Sequence, residues 1–92
     1  MTLHEMFEKH DDEYSKFDRV PNKRSSRPDV HAFMLLDEMF VTNYDIVCWS
    51  EHDIIGLEAP TDSELYTEAI VIELSRCGVF YSSEHDSLCM FT

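Results

Sequence analysis

Residues 46–57 read IVCWSEHDIIGL. Two β-branched and aromatic runs, Ile46–Trp49 and Ile54–Leu57, flank the polar tetrapeptide Ser50–Asp53. That is the pattern of strand, turn, strand. A helix over 44–52 competes with it, but apolar runs this short fit strands better. The pattern returns at 79–91, VFYSSEHDSLCMF, where a second SEHD at 83–86 separates Val79–Ser82 from Ser87–Phe91. Between the hairpins lies Pro60, followed by the capping-box sequence Thr61-Asp62-Ser63-Glu64. A helix is expected over about 61–77, with Leu65, Ala69, Ile72 and Cys77 on one face and Gly78 as its stop. The C-terminal part thus reads ββαββ. Its hairpins can join into one antiparallel four-stranded sheet with helices on one face.

Two helices are expected ahead of it. Thr2-Leu3-His4-Glu5 is a capping box, and Leu3, Met6, Phe7, Tyr14 and Phe17 recur at helical spacing, so helix 1 covers about 3–19. Pro21 ends it. Ser26-Arg27-Pro28-Asp29 is another capping signature with proline in the first turn, and helix 2 covers about 27–41. Its run Val30–Val41 is interrupted only by His31, Asp37 and Glu38. A helix so apolar all round is usually buried, so it is expected at the centre. The expected fold class is α+β: one domain over 1–92, two N-terminal helices, then ββαββ with an antiparallel four-stranded sheet.

Composition narrows the function classes. Hydrophobic content of 43% and aromatic content of 12% argue against disorder. No apolar run is long enough to span a membrane. The N-terminal residues are acidic and mixed, unlike a signal peptide, which points to a soluble intracellular protein. Cys48, Cys77 and Cys89 are odd in number and sit among apolar residues, as buried reduced thiols do.

The net charge is −12. Residues 1–28 carry six basic and six acidic side chains, whereas residues 29–92 carry thirteen acids against Arg76 alone. A domain of this length is roughly 30 Å across. Duplex DNA shows about 18 charges over that distance. Thirteen acids lie within a factor of two, so mimicry of nucleic acid is physically possible. Four of the seven cations, Arg19, Lys23, Arg24 and Arg27, fall within nine residues. Such a link can grip phosphates locally. The net charge forbids general affinity for free nucleic acid. A ribonucleoprotein, whose own cations attract the acids, fits both features.

Signals for catalysis are weak. His52, Asp53, His85 and Asp86 of the two SEHD segments could form a metal site if the turns converge, although turns use such residues for local hydrogen bonding. Cys48 with His52, or Cys89 with His85, could form a nucleophile pair, but apolar neighbours raise a thiol pKa. His31 reads as a core or boundary histidine. With only Gly56 and Gly78 there is no phosphate loop. No cofactor is expected.

The segments HDDEYSKFDRVPNKRSSRPDVHAFMLLDEMF (10–40), EHD (51–53) and RCGVFYSSEHDSLCMF (76–91) resemble small proteins encoded by tailed phages. Size and acidity resemble phage anti-CRISPR proteins, in particular stoichiometric inhibitors of the type I-F surveillance complex. The resemblance implies a binding protein, not an enzyme, acting in the cytoplasm of a host bacterium. It implies a multi-subunit Cas ribonucleoprotein as partner, with target DNA kept out. Asp29, Asp37, Glu38 and Asp45 would meet basic Cas subunits, and Arg19, Lys23, Arg24 and Arg27 would touch guide RNA. Two other readings stand beside it: an acidic DNA mimic aimed at another host enzyme, and a small metal-dependent enzyme built on the SEHD turns.

Overall fold

A computed structural model describes all of residues 1–92. The chain is α+β, with three α-helices and one antiparallel four-stranded sheet. Helix α1 spans Leu3–Lys9, and two single-turn 3-10 segments follow at Asp11–Glu13 and Phe17–Arg19. Helix α2 spans Pro28–Met39, strand β1 Val47–Glu51, and strand β2 Ile54–Leu57. Helix α3 spans Glu68–Arg76, strand β3 Val79–Ser82, and strand β4 Ser87–Phe91. The sheet order is β1-β2-β4-β3, so the hairpins meet through their second strands.

Register sorts the sheet into two faces. Leu57 pairs with Leu88, and Leu88 with Tyr81; Ile55 pairs with Met90, and Met90 with Val79. These residues point into a core completed by Leu3 and Phe7 of α1, Ala32, Leu35 and Leu36 of α2, and Val71 and Leu74 of α3. The alternate residues Ile54, Gly56, Phe80, Cys89 and Phe91 lie on the opposite face, where Trp49 pairs with Gly56. Trp49, Ile54, Phe80 and Phe91 take no part in the main core, and Phe91 is 57% exposed.

Four sequence expectations change. Helix 1 stops at Lys9 instead of continuing to 19. Asp11 and Asp12 are poor helix formers, and Ser15 takes a left-handed φ of 59° so that its amide can donate to the Ser75 carbonyl at 3.0 Å. That bond pins the chain to α3. The Thr2 capping box forms as expected, with Glu5 N–H donating to Thr2 Oγ1 and Thr2 N–H to Glu5 Oε1.

The Ser26 cap does not form. Arg27 takes the N-cap position without a side-chain bond, and its amide donates to Ser25 Oγ. Pro28 supplies the fixed φ that starts α2 instead.

The third helix begins at Glu68, capped by Thr67, and not near Thr61. The Thr61 hydroxyl is taken by Asp86 Oδ1 at 2.9 Å, and Tyr66 Oη donates to the Pro60 carbonyl, which folds 60–66 as a loop.

Finally, α2 is not the centre. It buries one stripe, His31, Ala32, Leu35 and Leu36, while Met34 is 44% exposed and Asp37 and Glu38 face solvent. The central helix is α3, in which Val71 and Leu74 are fully buried and which touches α1, β3 and both 3-10 turns.

Candidate functional site

The basic link is tied down from inside the protein. His31 is fully buried, and its Nδ1 accepts the Arg24 amide N–H at 3.1 Å. Nε2 therefore carries the proton and donates to Glu73 Oε2 at 2.8 Å. One buried imidazole thus joins the link, α2 and α3. Asn22 adopts a left-handed φ of 52°, a conformation asparagine tolerates better than most residues.

The link's cations are largely committed to the chain itself. Lys23 Nζ donates to the Val20 carbonyl at 2.9 Å and sits 5.3 Å from the Phe17 ring centroid. Arg24 pairs with Glu38. Arg19 donates to Glu13 Oε1 at 2.6 Å, while Arg76 Nε donates to Glu13 Oε2 at 2.7 Å. Glu13 is mostly buried between the two guanidiniums. Its carboxyl is held below the usual range, first by Arg76 and then by Arg19. Arg24 likewise lowers the Glu38 carboxyl, and its own pKa is raised in return. Of the four cations expected to touch nucleic acid, Arg19 and Arg24 form ion pairs, Lys23 bonds to a backbone carbonyl, and only the Arg27 side chain bonds to nothing in the chain.

The four acids expected to touch protein are also divided. Asp29 accepts the Val30 amide at 3.0 Å in the first turn of α2. Glu38 is neutralised by Arg24, so residues assigned to different partners bond to each other. Asp37 and Asp45 are exposed and form no ion pair. They share that state with Asp12, Asp53, Glu64 and Glu84. The protein thus uses most of its cations internally and leaves many of its carboxylates to solvent.

The two SEHD segments fold differently. In the first, Ser50 and Glu51 belong to β1, and only His52 and Asp53 form the turn, because Glu51 pairs with Ile54. In the second, all four residues form the turn, because Ser82 pairs with Ser87. Both border a hollow of about 300 Å³ lined by Trp49, Glu51, His52, Asp53, Ile54, Glu84 and His85. His85 stacks on Trp49 at 4.5 Å and its Nε2 lies 3.2 Å from Glu51 Oε2. Asp86 is used elsewhere, by Thr61 and Tyr81. His52, Asp53, His85 and Asp86 therefore do not gather as ligands, and no group of three or more His, Cys, Asp or Glu side chains is placed to hold a metal ion.

The thiols are correspondingly quiet. Cys77 and Cys89 are buried, whereas Cys48, expected inside, is exposed at a β1 irregularity. Partial burial and then Glu58 push the Cys48 thiol up, and burial pushes up Cys89. Burial, followed by Glu73, pushes Cys77 up to about 12. Neither candidate nucleophile pair is hydrogen-bonded, and Cys89 Sγ instead donates to the Ser87 carbonyl at 3.6 Å.

No family model, curated protein or solved structure matches this chain. Its chemistry must be read from its own surface. No helix is long and apolar enough to cross a membrane.

Sequence reasoning missed the largest concave feature, a groove beside α1 and β3 whose lining includes Glu8 and Asp11. It lies where the chain turns after α1 ends at Lys9, with Tyr14 packed against Phe80 at 6.5 Å. An unbroken helix 1 gave no hint of it.

Proposed function

We propose that this chain is a stoichiometric binding protein that occupies a basic, nucleic-acid-handling surface through its unpaired carboxylates. The leading target is a crRNA-guided surveillance complex of type I-F, for which size, acidity and phage-like segments speak, with target DNA excluded by occupancy. The observation that carries the reading is the charge arrangement. Five of the seven cations bond to the protein's own groups, while Asp37, Asp45 and other exposed acids have no cation. Such a surface steers toward a partner rich in lysine and arginine and repels free nucleic acid.

The internal bonding of Arg19, Lys23 and Arg24 reduces the proposed guide-RNA contact to Arg27, with Arg24 recruited only by giving up its exposed pair. Exposed pairs are weak enough to be exchanged. The same observation favours a second reading, an acidic DNA mimic directed at an RNA-free host enzyme, in which the link is idle.

The test is a binding competition between labelled target DNA and this protein on a purified type I-F complex. Asp37→Lys combined with Asp45→Lys is expected to weaken binding by roughly tenfold or more. Arg27→Glu weakens binding only where guide RNA is touched. Failure of the unmodified protein to bind the complex rejects that target. Binding unaffected by the double reversal rejects a role for Asp37 and Asp45.

A further inference from the structure

The groove between α1, the Asp11–Glu13 turn and β3 has a volume of about 390 Å³. That lies at the small end of ligand sites, room for a side chain and not for a dinucleotide. Its walls are aromatic: Phe7, Tyr14, Phe80 and Tyr81. Its polar lining holds two carboxylates, Glu8 and Asp11, together with His4 and Ser75. Asp11 has no cation partner, and the nearest basic group to Glu8 is His4, with Nε2 2.6 Å from Glu8 Oε1.

We infer that this groove receives an arginine side chain of a partner protein, its guanidinium lying on the aromatic wall and paired with Glu8 and Asp11.

Each element of the groove selects for that chemistry. Aromatic faces carry negative potential and attract a cation. Two carboxylates in the lining repel phosphates and other anions. An apolar side chain would cover the carboxylates without pairing them, which is costly. Arginine suits the site better than lysine, because a planar guanidinium stacks on rings and can span two carboxylates, whereas an ammonium is a compact, strongly hydrated point charge.

The rings are held in place before any ligand arrives. Tyr81 Oη donates to Asp86 at 2.7 Å, and the His4 and Tyr81 rings form a T-shaped pair at 5.5 Å. Phe80 is stacked on Phe91 at 4.9 Å and forms a T-shaped pair with Tyr14 at 6.5 Å. Such preorganisation lowers the entropic cost of binding. The Trp49 hollow is also acidic, but His85 already covers that ring.

The inference deepens the proposed function by naming the side chain a basic partner offers, and rests on that reading only for the partner's identity. Its test needs no partner. The uniformly ¹⁵N-labelled full chain is titrated with N-acetyl-arginine methylamide, and separately with the lysine analogue and the uncharged citrulline analogue. The expected result is saturable shifts confined to amides around Glu8, Asp11, Tyr14 and Phe80. Affinity should be at least fivefold weaker for lysine and for citrulline, and at least fivefold weaker for the arginine probe with Asp11→Asn, an exposed substitution that leaves the fold intact. Non-saturating shifts spread over the acidic surface, equal response to citrulline, saturation at the Trp49 hollow, or unchanged affinity in Asp11→Asn each overturns the inference. Saturation at the groove together with no binding to the surveillance complex rejects the target and keeps the groove.

Discussion

The contact between Trp49 and Gly56 gives the sharpest test of the outer sheet face. The two residues are cross-strand partners, and the indole lies directly against the glycine. A β-carbon at Gly56 would approach ring atoms to under 3.0 Å, a distance real β-carbons do not tolerate. In Gly56→Ala the indole must leave, and its stack on His85 goes with it. Alanine in a strand recovers roughly 0.5–1 kcal/mol over glycine. Forced displacement of a packed side chain costs roughly 1–3 kcal/mol. The lost aromatic pair adds about 0.5–1.5 kcal/mol. The net expectation is a destabilisation of about 0.5–4 kcal/mol, with roughly 4–8 °C lost in Tm per kcal/mol for a chain of this size. Trp49 is the only tryptophan, so urea denaturation followed by fluorescence reads both stability and indole exposure. Native emission should shift to the red. The control is a double-mutant cycle: with Trp49→Ala already in place, Gly56→Ala should be neutral or stabilising. Unchanged native emission with an unchanged or raised midpoint would refute the reasoning, as would equal cost in the Trp49→Ala background.

Three further outcomes follow from the core and the charges. His31→Leu stays close to the side-chain volume but removes the bonds to the Arg24 amide and Glu73, and should cost about 1–3 kcal/mol in chemical denaturation. Glu13 has a folded pKa depressed below its ordinary 4.5 by Arg76 and Arg19, so its stabilising effect is fully present above that pH and fades as pH falls through the folded value. Glu13→Gln should therefore be less stable than the parent at pH 7, with the gap narrowing below pH 4.5; a constant gap contradicts the assignment. A disulfide reagent should titrate Cys48 alone in the folded protein, slowly because its thiol is pushed up, and all three cysteines after denaturation.

The strands were legible because their signals are local. Both hairpins are short β-branched and aromatic runs around polar turns, and no distant residue alters that pattern. Helix starts were less legible, because a capping sequence is an offer that other partners can take. Thr2 has no competitor and forms its box. The Thr61 hydroxyl instead meets Asp86 across 25 positions of sequence, and the cap passes to Thr67. The repeated SEHD shows the same limit. Identical tetrapeptides take different registers, because in the first Glu51 stays in the ladder opposite Ile54, whereas the second lies wholly between paired Ser82 and Ser87. The basic link was visible as a cluster, but its fate was not. Whether Arg24 meets phosphate or Glu38 depends on where α2 turns its acids, and the apolar run of that helix had suggested burial on every side.

By segment the link is basic and the rest of the chain acidic, and folding erases much of that division. With Arg19, Arg24 and Arg76 paired to Glu13 and Glu38, the remaining field comes from carboxylates spread over a body 28 × 28 × 27 Å in extent. At physiological salt a charge acts over about 8 Å. Acids on opposite sides therefore do not pool, and the total of −12 is not the quantity a partner feels. What docks is a local set. One local set is defined here, Glu8 and Asp11 beside the aromatic groove, while Asp37 and Asp45 are single exposed acids on α2 and in the loop after it. The groove adds shape and ring faces to its charge, so it can discriminate among cations, while acids on α2 and its following loop supply attraction without selectivity. Neutralising Asp11 should then change which basic partner is held, whereas reversing Asp37 and Asp45 should change how fast any basic partner arrives.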